Sequence, residues 1–322
     1  MKVSILCLGN IAAKMAQTLN ALPETEPYAV ASRTASKATA FAAEHGFQKA
    51  YGSYEELAAD PNAGLIYIAS PHSHHYKLAK LCLEHGHPVI CEKPFTANRA
   101  QAEELFALAA QKNLFITEAM WTRYLPYINK VREILASGAI GEICSASATF
   151  GCPLSHVERM ARPELAGGAL LDLGVYPFTF LSLFMESDIA SIATEAVKTT
   201  LGVDAQSTTV LRYRNGTLGT VQCSMLNHMP VYASIYGTKG RIEVPNFMSA
   251  ERFTLHIDGQ SPDEYRFPFE VNGFEYEIRA AFAALAEGRT ECPQSPHAET
   301  LRVIGLMDTL RARWGIRFPF ET

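Results

Sequence analysis

The run Val3-Ser4-Ile5-Leu6-Cys7-Leu8-Gly9-Asn10-Ile11-Ala12 decides the fold class. Val3 to Leu8 is an apolar stretch that reads as a strand buried on both faces. From Ile11 to Leu22 apolar residues recur at helical spacing. A strand that turns through glycine into a helix opens a dinucleotide-binding unit, because glycine lets the backbone approach a pyrophosphate at the helix N-terminus. Only Gly9 matches that pattern outright. Cys7 stands at the first glycine position and Ala12 at the last, so Gly9, Asn10 and Ile11 are the expected phosphate contacts.

Outward from this run the same alternation continues. Tyr28 to Ser32 is strand-like, and Ser36 can cap a helix through Ala43. Leu65 to Ala69 and Val89 to Cys91 are short apolar strands that precede helices near His74 to Glu84 and Asn98 to Lys112. Phe115 to Thr117 closes the series. Strands alternating with helices imply right-handed crossovers and a doubly wound parallel sheet. After about residue 120 the pattern changes. A helix over Tyr127 to Ala136, a strand over Ile143 to Phe150 and a helix over Gly168 to Phe184 come first. Strand signals then follow without helices between them: Ser207 to Tyr213, Leu218 to Ser224, Val231 to Tyr236, Arg241 to Val244 and Phe253 to Ile257. Asn215-Gly216 and Lys239-Gly240 are hairpin turns between them. Helices over Glu275 to Ala286 and His297 to Arg313 end the chain. The expectation is an α/β chain of two domains: residues 1–120 as a Rossmann unit, and 121–322 as an α+β unit with an open, mainly antiparallel sheet. A length of 322 residues also exceeds what one core usually serves.

Composition narrows the function classes. The chain is 48% hydrophobic and 19% charged, and 28 Lys and Arg against 33 Asp and Glu leave a net charge of −5. Such a balance, without basic runs, argues against nucleic-acid or membrane-surface binding. The apolar stretches read as interrupted short of the ~20 residues that span a bilayer. Met1-Lys2 leads straight into a strand, so no signal peptide is expected. Seven cysteines, with no Cys-x-x-Cys, point to free thiols in a reducing cytoplasm and away from a metal site.

Four further segments carry chemistry. The second strand ends Ala31-Ser32-Arg33-Thr34. An NAD site would favour a carboxylate there for the ribose hydroxyls, whereas an arginine accommodates a 2′-phosphate, so NADP is expected over NAD. Ser70-Pro71-His72-Ser73-His74-His75 follows the fourth strand. Its histidines lack an acidic or cysteine partner nearby and read as a loop lining the cofactor rather than a metal cluster. Cys91-Glu92-Lys93-Pro94 puts a lysine at the carboxyl end of the fifth strand, where ligands bind in such sheets. Ala166-Gly167-Gly168-Ala169-Leu170-Leu171-Asp172-Leu173-Gly174-Val175-Tyr176-Pro177 places an acid and a phenol four residues apart on an apolar helix. Both are expensive to bury without a purpose.

Taken together, these segments resemble the glucose-fructose oxidoreductase, inositol dehydrogenase and MocA family. Within it they resemble the branch of NADP-dependent dihydrodiol and aldose dehydrogenases. Ala50 to Leu57, Glu118-Ala119-Met120-Trp121-Thr122-Arg123, Val203-Asp204 and Gly237-Thr238-Lys239-Gly240 share in the likeness, which covers nearly the whole chain. The resemblance puts Lys93, Asp172 and Tyr176 on the family's catalytic positions, where many members carry His in place of Tyr176. It adds Trp121 and Arg123 to a cofactor set of Gly9, Asn10, Ile11, Ser32, Arg33, Thr34, Ser70, Pro71, His72, His75, Glu92 and Lys93. It also gives Trp121, Arg123 and Phe150 as walls of a substrate pocket expected between the domains. The implied activity is hydride transfer between NADP and a hydroxyl or carbonyl carbon of a sugar, cyclic polyol or dihydrodiol. Lys93 or Tyr176 would take the proton, and Asp172 would orient Lys93 or a substrate hydroxyl. A nucleotide-sensing regulator of the same fold and an NAD-assisted glycosidase are the competing readings. Strands such as Ser207 to Tyr213 read as apolar on both faces, which implies a homodimer joined through the open sheet.

Overall fold

A computed structural model describes residues 1–321. Backbone contacts divide the chain into two compact units: Met1–Trp121 with Glu270–Ile304, and Thr122–Phe269 with the segment from Gly305 onward. The boundary read from sequence at residue 120 differs in one respect, because the segment 270–304 returns to the first unit. Local contacts explain the return. His297 stacks on Phe106 with ring centroids 3.9 Å apart, the Ile116 N–H donates to the Thr290 carbonyl at 3.0 Å, and Arg279 pairs with Glu24 at 2.9 Å.

The first unit holds a six-stranded sheet of β1 (Lys2–Leu6), β2 (Glu26–Ala31), β3 (Lys49–Tyr51), β4 (Leu65–Ile68), β5 (Val89–Glu92) and β6 (Ile116–Ala119). The order is β3-β2-β1-β4-β5-β6, and all neighbours are parallel. Strands β4, β5 and β6 are buried along their whole length, as strands covered by helices on both faces must be. The chain passes from one side of β1 to the other between β3 and β4, which makes the carboxyl end of β1 the crevice where such sheets bind ligands. Two local readings change. The second helix is Ala35–His45 with Thr34 at its cap and no side-chain cap bond, so Ser36 lies inside the helix. Strand β3, three residues long and partly exposed, carries too little pattern to be singled out from sequence.

The second unit holds an eight-stranded sheet of β7 (Ile143–Gly151), β8 (Ile189–Lys198), β9 (Asp204–Tyr213), β10 (Leu218–Ser224), β11 (Met229–Gly237), β12 (Gly240–Pro245), β13 (Arg252–Ile257) and β14 (Asp263–Arg266). The order is β14-β13-β12-β11-β7-β10-β9-β8, antiparallel except where β7 meets β10. The edge strands β8 and β14 are the two that sequence patterning passed over. Ala-rich β8 and the charged Asp-Glu-Tyr-Arg of β14 have weak strand propensity and gain theirs from a single neighbour.

One face of this sheet is apolar, with Ala146, Ala148, Phe150, Leu211, Val221 and Cys223 buried. The other face is mixed: its cross-strand rows read Thr208-Gln222-Thr149-Tyr232 and Val210-Thr220-Ser147-Ser234, and Val197, Val210, Leu218 and Tyr236 are exposed on it.

Against the inner face lies the long helical segment expected at Gly168 to Phe184. It is a π-helical turn over Leu170–Gly174 running into an α-helix over Val175–Phe184. The stretch Pro163–Phe184 is, contrary to the sequence reading, long and apolar enough to span a bilayer. However, 94% of its most apolar window is buried inside the protein, as suits a core helix.

The start of this segment is held by one carboxylate. Asp204, buried at the start of β9, accepts the Leu170 N–H at 2.6 Å. Gly168 sits at φ 118°, and a Cβ there would stand 2.3 Å from Asp204 Oδ1, so the glycine is required twice over. Burial pushes the Asp204 pKa up, to about 6, against backbone N–H groups and the Arg311 charge that favour the ionised form. The folded chain thus keeps this proton to about pH 6, while the unfolded chain releases it near pH 3.8. Between these values the unfolded state binds fewer protons, so the contribution of Asp204 to stability falls as pH rises from about 4 to about 6 and is level above. Urea midpoints at pH 4.5 and 6.5 should show wild type losing stability relative to Asp204→Asn over that interval. Asp204→Ala should cost about 1–3 kcal/mol by leaving a buried N–H unpaired.

Candidate active site

The crevice of the first unit begins at Cys7, which follows β1 at φ 68°, a left-handed conformation that glycine adopts without strain. Its N–H donates to the Ala31 carbonyl at 3.1 Å, which ties the turn to the end of β2. Gly9 is the N-cap of the helix Asn10–Ala21, exposed, and a Cβ on it would meet nothing within 4 Å. That helix has no side-chain cap bond and no acidic residue in its first turn. An open glycine before an uncapped helix start fits a dinucleotide pyrophosphate, with Gly9, Asn10 and Ile11 at the contact.

At the end of β2, Ser32 is buried and its Oγ accepts the Thr34 N–H at 3.4 Å, while Arg33 is exposed. Burial raises the Cys7 thiol pKa; the Tyr54 hydroxyl, 3.1 Å away, and the charges of Arg33 and Lys37 oppose that rise. Burial also lowers the His74 pKa, and Arg33 adds to the effect. Arg33 thus acts on both Cys7 and His74, Tyr54 contacts the Cys7 thiol, and the residues 31–34 at the end of β2 include no carboxylate. Such a rim suits the 2′-phosphate of NADP.

The histidines do not act as a set. His75 is fully buried, with Nδ1 2.8 Å from the Pro94 carbonyl and Nε2 2.8 Å from the Ser70 carbonyl. Burial, with the neighbouring charges of His72 and Lys93, brings its pKa down to about 4 despite the two carbonyls. The sequence reading put His75 at the cofactor; its two ring nitrogens lie at main-chain carbonyls, and the single N–H of the neutral ring donates to one of them, between the loop after β4 and the loop after β5. His72 is also buried, its ring 5.8 Å from that of His75, and His74 is half-buried. Among the described residues no group of three or more His, Cys, Asp and Glu could hold a metal ion.

Glu92 at the end of β5 turns inward as well, accepting hydrogen bonds from the Tyr67 hydroxyl and, at 3.1 Å, from the Lys93 N–H. Lys93 is half-buried and is joined to Pro94 by a cis peptide bond. Glu118 of β6 holds the continuation, accepting from the Phe95 N–H at 3.0 Å and the Thr300 hydroxyl at 2.9 Å. Trp121 stacks on Phe274, ring centroids 4.6 Å apart. Nothing in the sequence pointed to Phe274, because the pairing spans a long stretch of chain.

In the second unit the structure brings Tyr176 and Phe150 together, ring centroids 5.8 Å apart and tilted by 54°. Asp172, about one turn before Tyr176 across the π-helical turn, is ion-paired with Arg159 at 2.9 Å. Arg159 was not singled out from sequence, where it is one exposed-looking arginine in a polar connection. Arg123 is buried, and its Nη2 donates to Ser182 Oγ at 3.0 Å, so it braces the helix Val175–Phe184.

Comparison with known proteins agrees with this geometry. Residues 1–119 match the oxidoreductase family with an NAD-binding Rossmann fold, and residues 128–243 match the GFO/IDH/MocA C-terminal domain. The trans-1,2-dihydrobenzene-1,2-diol dehydrogenase of Mus musculus is 35% identical over 98% of this chain and 97% of its own length. That of Xenopus laevis is 32% identical over 99% of both. Among solved structures, KijD10, a 3-ketoreductase from Actinomadura kijaniata in complex with NADP and TDP-benzene, superposes with a TM-score of 0.86. It is 26% identical, over 97% of each chain.

The two carbonyl contacts of His75 give the first test of the crevice. His75→Ala should lower stability by about 1–3 kcal/mol, the cost of stranding one buried carbonyl, and weaken nicotinamide cofactor binding by loosening the two loops. Chemical denaturation together with cofactor fluorescence titration would measure both effects.

Proposed function

The chain belongs to the GFO/IDH/MocA family of oxidoreductases, and from that premise we propose that it is an NADP-dependent dehydrogenase acting on a sugar, cyclic polyol or dihydrodiol. The observation that carries the reading is Tyr176. It is a phenol only 7% exposed in an apolar helix, set against Phe150 and one turn from the paired carboxylate of Asp172. A phenol beside a buried ion pair and an aromatic face offers a proton donor or acceptor next to a surface that suits a ring substrate.

The nicotinamide, when bound, supplies hydride transfer. The protein supplies the rest. Gly9 and the start of the helix Asn10–Ala21 hold the pyrophosphate, and Ser32, Arg33 and Lys37 hold the 2′-phosphate. Tyr176 moves the hydroxyl proton, and the Lys93 ammonium stabilises negative charge on the reacting oxygen. The aromatic faces of Phe150 and Trp121 suit the apolar faces of a ring substrate. Solved structures of the 3-ketoreductase KijD10 include variants in which a lysine and a tyrosine are each replaced, the same two residue types assigned here.

Absorbance at the reduced-nicotinamide band, with NADP⁺ and NAD⁺ offered against D-xylose, other aldoses and trans-diols, tests the proposal. NADP⁺-dependent turnover is expected. Arg33→Asp should weaken NADP⁺ far more than NAD⁺, because it replaces a phosphate partner with a repelling charge. Equal use of both cofactors by the unaltered protein would remove the NADP assignment. Lys93→Met and Tyr176→Phe should each lower kcat by about 10²-fold or more, with cofactor binding little changed. Normal turnover by both variants would show that the reaction runs elsewhere.

A further inference from the structure

Three segments of the first unit meet at one phenol. The Cys7 thiol, in the turn after β1, donates to the Tyr54 hydroxyl oxygen at 3.1 Å. The Ser32 N–H, just past β2, donates to the Tyr51 carbonyl at the end of β3 at 3.2 Å. Beyond β3 the start of the short helix Tyr54–Ala58 is fixed twice. Ser53 Oγ accepts the Glu56 N–H at 3.1 Å, and the Glu56 carboxylate accepts the Gly52 N–H at 3.0 Å. A Cβ on Gly52 would stand 3.2 Å from that of Ala35, so this start lies against the start of the helix Ala35–His45. Local main chain thus places Tyr54 beside the residues that follow β2, Arg33 among them.

The directions of the hydrogen bonds leave this phenol with a proton to give. Burial raises the Cys7 pKa, so the thiol keeps its own proton and is the donor of the pair. It fills an acceptor position on the Tyr54 oxygen, and the charge of Arg33 is felt at the same group. A donor and a cation both repel the phenolic proton, which therefore turns away from them. Among the described residues no acceptor takes it. Burial, and then the contact with Cys7, raises the Tyr54 pKa, so the proton stays on the oxygen through the neutral range. The side chain is only half-buried, which leaves it open to a ligand.

We propose that Tyr54 is a further cofactor-binding residue: anchored by the Cys7 thiol, its hydroxyl donates to the 2′-phosphate of NADP beside Arg33, so that discrimination against NAD rests on a phenol and a guanidinium together. The inference rests on the NADP reading of the crevice and adds to it a residue that lies outside the fingerprint and outside the end of β2. A neutral donor beside Arg33 adds a hydrogen bond to the phosphate without setting a second positive charge next to the guanidinium.

Isothermal titration calorimetry with adenosine 2′,5′-bisphosphate and 5′-AMP tests it, on wild type, Tyr54→Phe and Cys7→Gly. The probes differ only in the 2′-phosphate and need no turnover. Wild type should bind the bisphosphate more tightly. Tyr54→Phe should weaken the bisphosphate about tenfold, the scale of one hydrogen bond to a charged group, and leave 5′-AMP little changed. Cys7→Gly suits the left-handed backbone and should shift the bisphosphate the same way but less, since it removes the anchor and keeps the donor. Thermal unfolding of each variant checks the fold, and should Tyr54→Phe fail to fold, Cys7→Gly carries the comparison. A Tyr54→Phe protein that keeps the wild-type ratio, or that weakens both probes equally, overturns the inference and leaves the NADP reading standing. A wild type that binds the two probes alike overturns the NADP reading as well.

Discussion

Buried main-chain polar groups at the ends of strands must find partners, because an unpaired N–H or carbonyl inside the protein costs as much as a lost hydrogen bond. In this chain single buried side chains meet that demand. His75 faces the carbonyls of Ser70 and Pro94, Glu118 takes the Phe95 N–H, and Asp204 takes the Leu170 N–H. Each clamps a connection that would otherwise be free to move. Lys93 and Tyr176 each lie within six residues of such a clamp. The residues that do the fastening are titratable, yet their geometry gives them structural work.

The charge pattern of the first unit follows a different rule. Residues 33–37, just beyond β2, are exposed, so Arg33 and Lys37 need no protein partner to be tolerated there. What distinguishes the rim is the lack of a carboxylate among the residues that end β2, together with the charges of Arg33 and Lys37 felt at Cys7 and that of Arg33 felt at His74. Cys7 itself occupies a glycine position in a left-handed conformation, and Tyr54 holds its thiol.

In the second unit the glycine pair organises the site. Gly168 admits the Asp204 carboxylate, Gly167 admits the Met160 carbonyl, and between them they bring Arg159 to Asp172. The π-helical turn that follows keeps Asp172 and Tyr176 about one turn apart, and Phe150 of β7 closes on the phenol. The outer face of the same sheet mixes hydroxyl and amide groups with exposed Val197, Val210, Leu218 and Tyr236.

Periodicity was enough to show the alternation of the first half, the run of antiparallel strands in the second and the two final helices, since each rests on local spacing of apolar residues. The glycine at position 9, the arginine at the end of β2, the Glu-Lys-Pro turn and the Asp172/Tyr176 spacing were equally legible, because each is set by contiguous residues. Edge strands β8 and β14 were not, since their pairing and not their composition makes them strands. The return of residues 270–304 to the first unit, the stacking of Phe274 on Trp121 and the pairing of Arg159 with Asp172 join residues remote in sequence. The sequence by itself determined which residue types were present and which strongly patterned stretches became strands and helices. Only the tertiary structure decided that His75, Glu92 and Arg123 turn inward as fastenings, because partner choice depends on which buried carbonyls, hydroxyls and N–H groups the fold brings within hydrogen-bond reach.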